Sequence, residues 1–328
     1  MSFFAILFAL LIEQARPLAR GNPVHAGLRL WARWVSRNFD AGKAHHGWVA
    51  WGLTVCGPTI LATVIYGLLE VFIGWPLAIV WSTVVLYFTL GFRQFSHHFT
   101  AIRDALDVGD EAQARELLAQ WQRVEVVDLP RSELLRHVIE YSVLAAHRHV
   151  FGVLACYSLF AALGLGPAGA VLYRLSEFVA RYWLHRSATQ PVSPGLKSAS
   201  AQAWYVIDWL PARGTALAFA VVGSFEEAID CWRHHAQRFP NDNDGVVLAA
   251  TSGAVNVRLG GEALRSAFVA PASVAASEAA PSSPQDSEST PGREAEPAHL
   301  RSIVGLVWRS VVLWMLLLAL LTLARLLG

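Results

Sequence analysis

Asp208 and Arg213 are the residues with most to offer chemically, because with Pro211 they interrupt the otherwise apolar run from Trp204 to Gly223. A carboxylate and a guanidinium near bilayer depth are costly, so they mark either a ligand site or an ion pair held at the interface. The histidines come largely as adjacent pairs, at 45/46, 97/98 and 234/235. Neighbours in sequence do not face one another on a helix, so these pairs suit an interfacial or solvated setting better than a ligand cage, with phosphate contact as the alternative. HxxxH, HExxH, GxSxG and Walker patterns are absent, which removes the usual signatures of zinc, serine-nucleophile and P-loop chemistry. Cys56, Cys156 and Cys231 are too few and too scattered for a disulfide framework or a CxxC knuckle, and they read as small buried hydrophobes. No permanently bound cofactor is expected.

The elements that must position these groups are membrane helices. Hydrophobic residues make up 54% and charged residues 16% of the chain, a balance more apolar than a water-soluble protein of this length carries. From Ile303 to Leu327 the sequence is almost unbroken in apolar residues, long enough to cross the roughly 30 Å hydrocarbon core as one helix. The lipid bilayer is therefore an expected partner. A formal net charge of +1 with no block of like charge gives no field that would recruit nucleic acid, and none is expected to bind.

The chain divides in order. Residues 1–92 hold a short apolar N-terminal anchor, MSFFAILFALLI, with no basic residue ahead of it and so no signal-peptide n-region. An Arg- and Trp-rich stretch follows, LRLWARWVSRNF, whose apolar and basic residues fall on opposite sides of an interfacial helix. Two spans, Trp48 to Leu69 and Val71 to Phe92, then form a hairpin turning at Glu70 or at Gly74-Trp75-Pro76. The Arg-bearing segments on either side of it share one face, which the positive-inside rule makes cytoplasmic. Residues 93–149 form a cytoplasmic segment with two short helices broken at Gly109. Residues 150–262 return to the membrane, with a bend at Pro167, the Asp208/Arg213 segment and the amphipathic FEEAIDCWRHHAQ. Residues 263–300, poor in large apolar side chains, are a disordered tether, and 301–328 are the C-terminal transmembrane helix. The expected fold class is all-α, a polytopic membrane protein with cytoplasmic amphipathic helices and about five spans.

Several strings resemble one family. AIRDALDVGDEAQARELL is similar to the "AL..GDL..AR..L" helix pair of the CobD/CbiB cobalamin-biosynthesis membrane proteins, and RGNPVHAG to their "HPV..IG" element. GPAGAVLYR resembles their "PGA..YR" turn, DWLPARGTAL their "D..PARLTAL" segment, and NDGVVLAATSGAVNVRLGG their closing "N.G...AAMAGAL.VRLGG". Five strings in the family order cover most of the chain up to Gly261.

The resemblance implies a multi-pass protein of the bacterial inner membrane. It also implies the activity of an adenosylcobinamide-phosphate synthase, joining a carboxylate of the corrinoid adenosylcobyric acid to aminopropanol or its phosphate with ATP and Mg²⁺. By the same resemblance the catalytic positions are Glu140 and Asp208, both candidate Mg²⁺ ligands, with Arg136, Arg213, Asn243, Gly245 and Arg258 binding substrate or phosphate. Asn22, Pro23, Val24, Pro211 and Gly260 also fall on family motifs. This chain departs from the family's "E..EN..DG" run, having EYSVLAAHRHVFG, which keeps Glu140 without the Asn and Asp. Either the site is rebuilt with His147, His149 and Glu177, or the chemistry has been lost. ILFALLIEQ, HRHVFGVLACYSLF and IDWLPARGTALAFAVVGSFEEAIDCW also resemble the related AmpE membrane proteins, which implies the alternative of a non-catalytic regulatory role in cell-wall signalling.

Overall fold

Helices carry the fold in the computed structural model, which describes residues 2–16, 23–122, 130–186, 192–261 and 289–327. In chain order they are α1 (Ser2–Ala15), α2 (Pro23–Phe39), α3 (Ala44–Phe72), α4 (Trp75–Thr89), α5 (Phe92–Val108), α6 (Glu111–Gln122) and α7 (Arg131–Ala146). A π-type turn, His147–Phe151, leads into α8 (Gly152–Ala162), followed by α9 (Ala168–Arg186), α10 (Pro194–Val222), α11 (Phe225–His235), α12 (Asp242–Val255) and α13 (Pro297–Leu327). The described residues add two isolated β-bridges, Val257 with Arg293 and Gly260 with Ser289.

Among the described residues four stretches are long and apolar enough to cross a bilayer: Ala44–Phe72, Arg131–Ala162, Pro194–Val222 and Pro297–Ala324. The protein is an all-α membrane protein. Two details differ from the sequence expectation. The second leg of the hairpin, α4, has only 15 residues, about 22 Å at 1.5 Å per residue, because Gly74 turns the chain with φ +109° and Leu90 ends the helix in an extended conformation. The apolar run Val150–Leu172 is not a helix of its own. It divides between α8 and α9 at Gly164 and Gly166, both at positive φ, and its first part continues α7. Gly109, also at positive φ, breaks α5 from α6 as the sequence indicates.

The helices form two compact units, each assembled from separated stretches of chain. The first comprises Met1–Arg93, Arg148–Pro211 and Leu313–Gly328; the second comprises Gln94–His147 and Ala212–Val312. In the first unit α3 packs on α2, α4 and α9, α8 on α9, and α1 on α4. Its core gathers Ala32, Val35, Ala50, Val55, Leu175, Val179, Trp183 and Leu196. Glycines let backbones meet there: a Cβ on Gly169 would run into the Cys156 carbonyl, the small-residue packing that membrane helices use.

In the second unit α12 is the central element, packed by α7 and α11 and buried at every residue from Asn243 to Ala254. It shows no amphipathic face because every side is covered. Asn256, in the left-handed conformation at φ 53°, ends it. Residues 262–288, most of the expected tether, lie outside the described residues. The chain beyond them is fixed before the apolar run starts. Thr290 is buried, taking the Ser252 hydroxyl at 2.7 Å and the Leu259 N–H at 2.8 Å, and α13 begins at Pro297.

Candidate functional site

In the second unit, Arg136 projects from α7 between Glu133, one turn before it, and Glu140, one turn after. Its Nε and Nη2 donate to Glu133 Oε2 at 3.0 and 2.6 Å, and its Nη1 donates to Glu140 Oε1 at 2.9 Å. The i, i+3 and i, i+4 spacings put all three on one helix face. Glu140 Oε1 also accepts the Gly260 N–H at 2.7 Å, and Glu140 Oε2 stands 3.5 Å from His137 Nδ1. The carboxylate thus ties α7 to the loop after α12. Arg258, in the same loop, presents an exposed side chain while its N–H bonds the Arg293 carbonyl.

Arg213, on α10, donates from Nη1 to Asn243 Oδ1 at 3.0 Å, at the N-terminal end of α12. Gly245, one turn beyond Asn241, packs so closely on the Ala236 carbonyl that no Cβ fits. A cleft of about 480 Å³ opens there, with Arg213, Arg233, Gln237 and Asp242 in its wall. The 14 residues of α12 separate its two ends by about 21 Å. Arg136 and Glu140 are therefore grouped at one end, near Gly260, and Arg213, Asn243 and Gly245 at the other.

Asp208 belongs to the first unit. It is fully buried and its Oδ1 accepts the Tyr173 hydroxyl at 2.8 Å. Tyr173 reaches it through space that Gly152 leaves empty, since a Cβ on Gly152 would collide with the phenol, and its ring packs against Trp204 at 5.1 Å.

The same unit holds a charged cluster that motif reading reached only in part. Glu177, on α9, is buried and accepts Arg174 Nη1 at 2.8 Å and Arg181 Nη1 at 2.9 Å. Arg174 Nη1 also lies 2.6 Å from His149 Nδ1. A guanidinium can only donate, so His149 is the acceptor and carries no proton on Nδ1. Burial alone would raise the Glu177 pKa, yet the Arg174 and Arg181 charges outweigh it and lower the value to about 2. His25, on α2, is held below its ordinary pKa by burial and then by the Arg174 and Arg29 charges. His149 and Glu177 thus meet through Arg174. His147, their proposed companion, belongs to the second unit and contacts Thr215 Oγ1 at 2.9 Å. Arg174, Arg181, Tyr173 and His25 were not singled out from sequence. The signal was available for the arginines in RLSEFVAR, where Arg, Glu and Arg recur at three and four residues.

A resident Mg²⁺ does not fit the carboxylates as they stand. Glu140 already serves Arg136, His137 and the Gly260 N–H, and Asp208 lies in the other unit bonded to Tyr173. Among the described residues no three His, Cys, Asp or Glu side chains group as a metal site.

An all-helical membrane fold with buried Arg/Glu networks defines the class, and comparison with known proteins defines the family. Residues 3–290 match the family model described as CobD/Cbib protein, so the chain belongs to the CobD/CbiB family. It is 29% identical over 321 residues, 96% of each chain, to the cobalamin biosynthesis protein CobD of Stutzerimonas stutzeri. It is 32% identical over 187 residues, 57% of each chain, to the CobD of Chromobacterium violaceum, and 26% identical over 192 residues to that of Leptospira interrogans, covering 57% of this chain and 58% of that one. No solved structure matches. The AmpE-like regulatory alternative finds no support in these comparisons.

Proposed function

We propose that this protein acts in cobalamin biosynthesis, in the bacterial inner membrane as a multi-pass protein, at the step that joins a corrinoid carboxylate to aminopropanol or its phosphate. The observation that carries this reading is the end-to-end likeness to a cobalamin biosynthesis protein CobD, 96% of both chains. The charged groups support it. Amide formation from a carboxylate requires activation: ATP is consumed, its transferred phosphoryl group leaving as phosphate when the amine attacks, Mg²⁺ would accompany the nucleotide unchanged, and cations neutralise phosphate oxygens as charge develops. Two places offer such cations: the Arg174–Glu177–Arg181 row, two guanidiniums to one carboxylate, and the Arg213 cleft. Asp208, bonded by the Tyr173 hydroxyl, is a buried acid of the first unit.

The test is complementation of a bacterium that lacks its adenosylcobinamide-phosphate synthase, scored as growth that depends on making cobalamin from cobyric acid. Rescue by the wild-type chain, and its loss in Asp208→Ala at equal membrane level, supports the reading. Failure of a correctly inserted wild-type chain to rescue overturns it.

A further inference from the structure

The first unit contains a second polar feature that the proposed reaction does not use. Between α1, α3, α4, α8 and α13 lies a cavity of about 450 Å³. Its lining is mixed. Glu70 is exposed, and Tyr66, one turn earlier on α3, shares the lining with it. The Tyr66 ring is seated against Gly166, where a Cβ would collide with it. Tyr157, Ser82 and Ser2 are also in the lining. Ser158 Oγ, also in the lining, is buried and, among the described residues, has no hydrogen-bond partner. Phe4, Ile79, Leu318 and Leu321 provide an apolar wall.

Glu70 is the only charged residue in this lining; no Lys, Arg or His among the described residues shares it. A carboxylate near the Tyr66 phenol, with the Tyr157 ring, a buried hydroxyl lacking a partner among the described residues and an apolar wall in the same lining, has the parts that recognise an organic cation. The carboxylate supplies the counter-charge, the ring faces attract an ammonium, the hydroxyl accepts an N–H, and the wall takes an alkyl chain. An anion would be repelled by Glu70, and a neutral donor could hydrogen-bond it but would bring no counter-charge. A purely apolar ligand would leave Glu70 and Ser158 unserved, at the cost of an unsatisfied buried group.

We propose that this cavity binds a primary alkylammonium group with Glu70 as its counter-ion, Ser158 as a hydrogen-bond acceptor and the chain lying on Phe4, Ile79 and Leu321. The same chemistry is presented by an ethanolamine lipid headgroup and by a free amphiphilic amine, and the experiment separates them.

The full-length protein is placed in nanodiscs made of equal parts phosphatidylethanolamine and phosphatidylglycerol, and co-retained lipid is read by native mass spectrometry. In parallel, phosphatidylglycerol nanodiscs are titrated with octylamine and with octanol, its uncharged counterpart. The expected result is retention of phosphatidylethanolamine over phosphatidylglycerol, or octylamine binding at least about tenfold tighter than octanol, a gap of about 1.4 kcal/mol, with either lost in Glu70→Gln. The lipid result assigns the site to a membrane headgroup and the octylamine result without lipid preference assigns it to a free amine. Ser158→Ala removes a hydroxyl that has no hydrogen-bond partner among the described residues, so it leaves the thermal midpoint unchanged and weakens binding severalfold. Equal retention of both lipids together with equal binding of octylamine and octanol overturns the proposal, as does binding that neither substitution changes. Because neither readout involves corrinoid, failure here leaves the proposed reaction untouched, and failure of the complementation leaves this site untouched.

Discussion

The two units contain charged rows that are inverses of one another. In the second unit Glu133, Arg136 and Glu140 enclose a cation between two carboxylates; in the first unit Arg174, Glu177 and Arg181 enclose a carboxylate between two cations. The spacing is the same, three residues and then four, and so is the burial. The central side chain is 5% exposed in both rows, one flank is 40% exposed, and the other flank is 16% in the second unit and 18% in the first. The difference lies in what the excess charge meets. The excess negative charge of the second unit is taken up internally, by the Gly260 N–H and by His137. The excess positive charge of the first faces His149, which accepts from Arg174 through Nδ1, and His25, neither of which brings a negative charge to it. The second unit's row is an internal strut, and the first unit's row carries two guanidiniums on a single carboxylate.

The largest effect is expected at the centre of the first row. Glu177→Ala leaves two guanidiniums around a buried void, and removing one partner of a buried ion pair costs about 3–5 kcal/mol. Thermal unfolding of the detergent-solubilised protein should show a loss of that size. Next comes Glu140→Ala, expected at about 2–3 kcal/mol, because Arg136 keeps Glu133 while the Gly260 N–H loses its acceptor. If the two variants lose equal stability, the rows are both struts and the contrast fails.

An acid titration sharpens the comparison. The Glu177 pKa is depressed from an ordinary carboxylate value to about 2. Its ionised form is therefore favoured in the folded state, and its contribution is fully present above the unfolded carboxylate pKa, about 4.3. That contribution falls as pH drops from there towards 2. Wild-type stability should decline across this window, and Glu177→Gln should show a shallower decline. The smallest effect is expected at Glu133. Its side chain is 40% exposed, and Glu133→Ala should cost no more than about 1 kcal/mol by the same unfolding measurement.

Sequence reading recovered the elements whose cause is local. Gly109 and Gly74 require positive φ and break the chain where they stand, and the C-terminal apolar run becomes α13. It missed what depends on partners far along the chain. Apolar composition continues from α3 through the Gly74 turn into α4, so the run looked longer than the helix it contains. Pro211 looks like a break, yet α10 passes through it; a proline costs a membrane helix one hydrogen bond, which neighbouring groups can make good. Arg136, His137 and Glu140 made α7 look like soluble chain, although all three are largely covered by pairing across the second unit. Family motifs led to Glu140, Arg213 and Asn243 individually. That Glu140 and Arg213 fall at opposite ends of α12 follows from helix packing and has no counterpart in a motif string.

The most direct measurement is reconstitution: the purified protein in nanodiscs, supplied with adenosylcobyric acid, ATP, Mg²⁺ and either aminopropanol or its phosphate, with the corrinoid product weighed by mass spectrometry. The account predicts an amide product of the added amine from the wild-type chain and little or none from Arg174→Ala, whose fold is checked by its unfolding profile. A folded wild-type protein that forms no amide, or an Arg174→Ala variant that forms it at the wild-type rate, would contradict it.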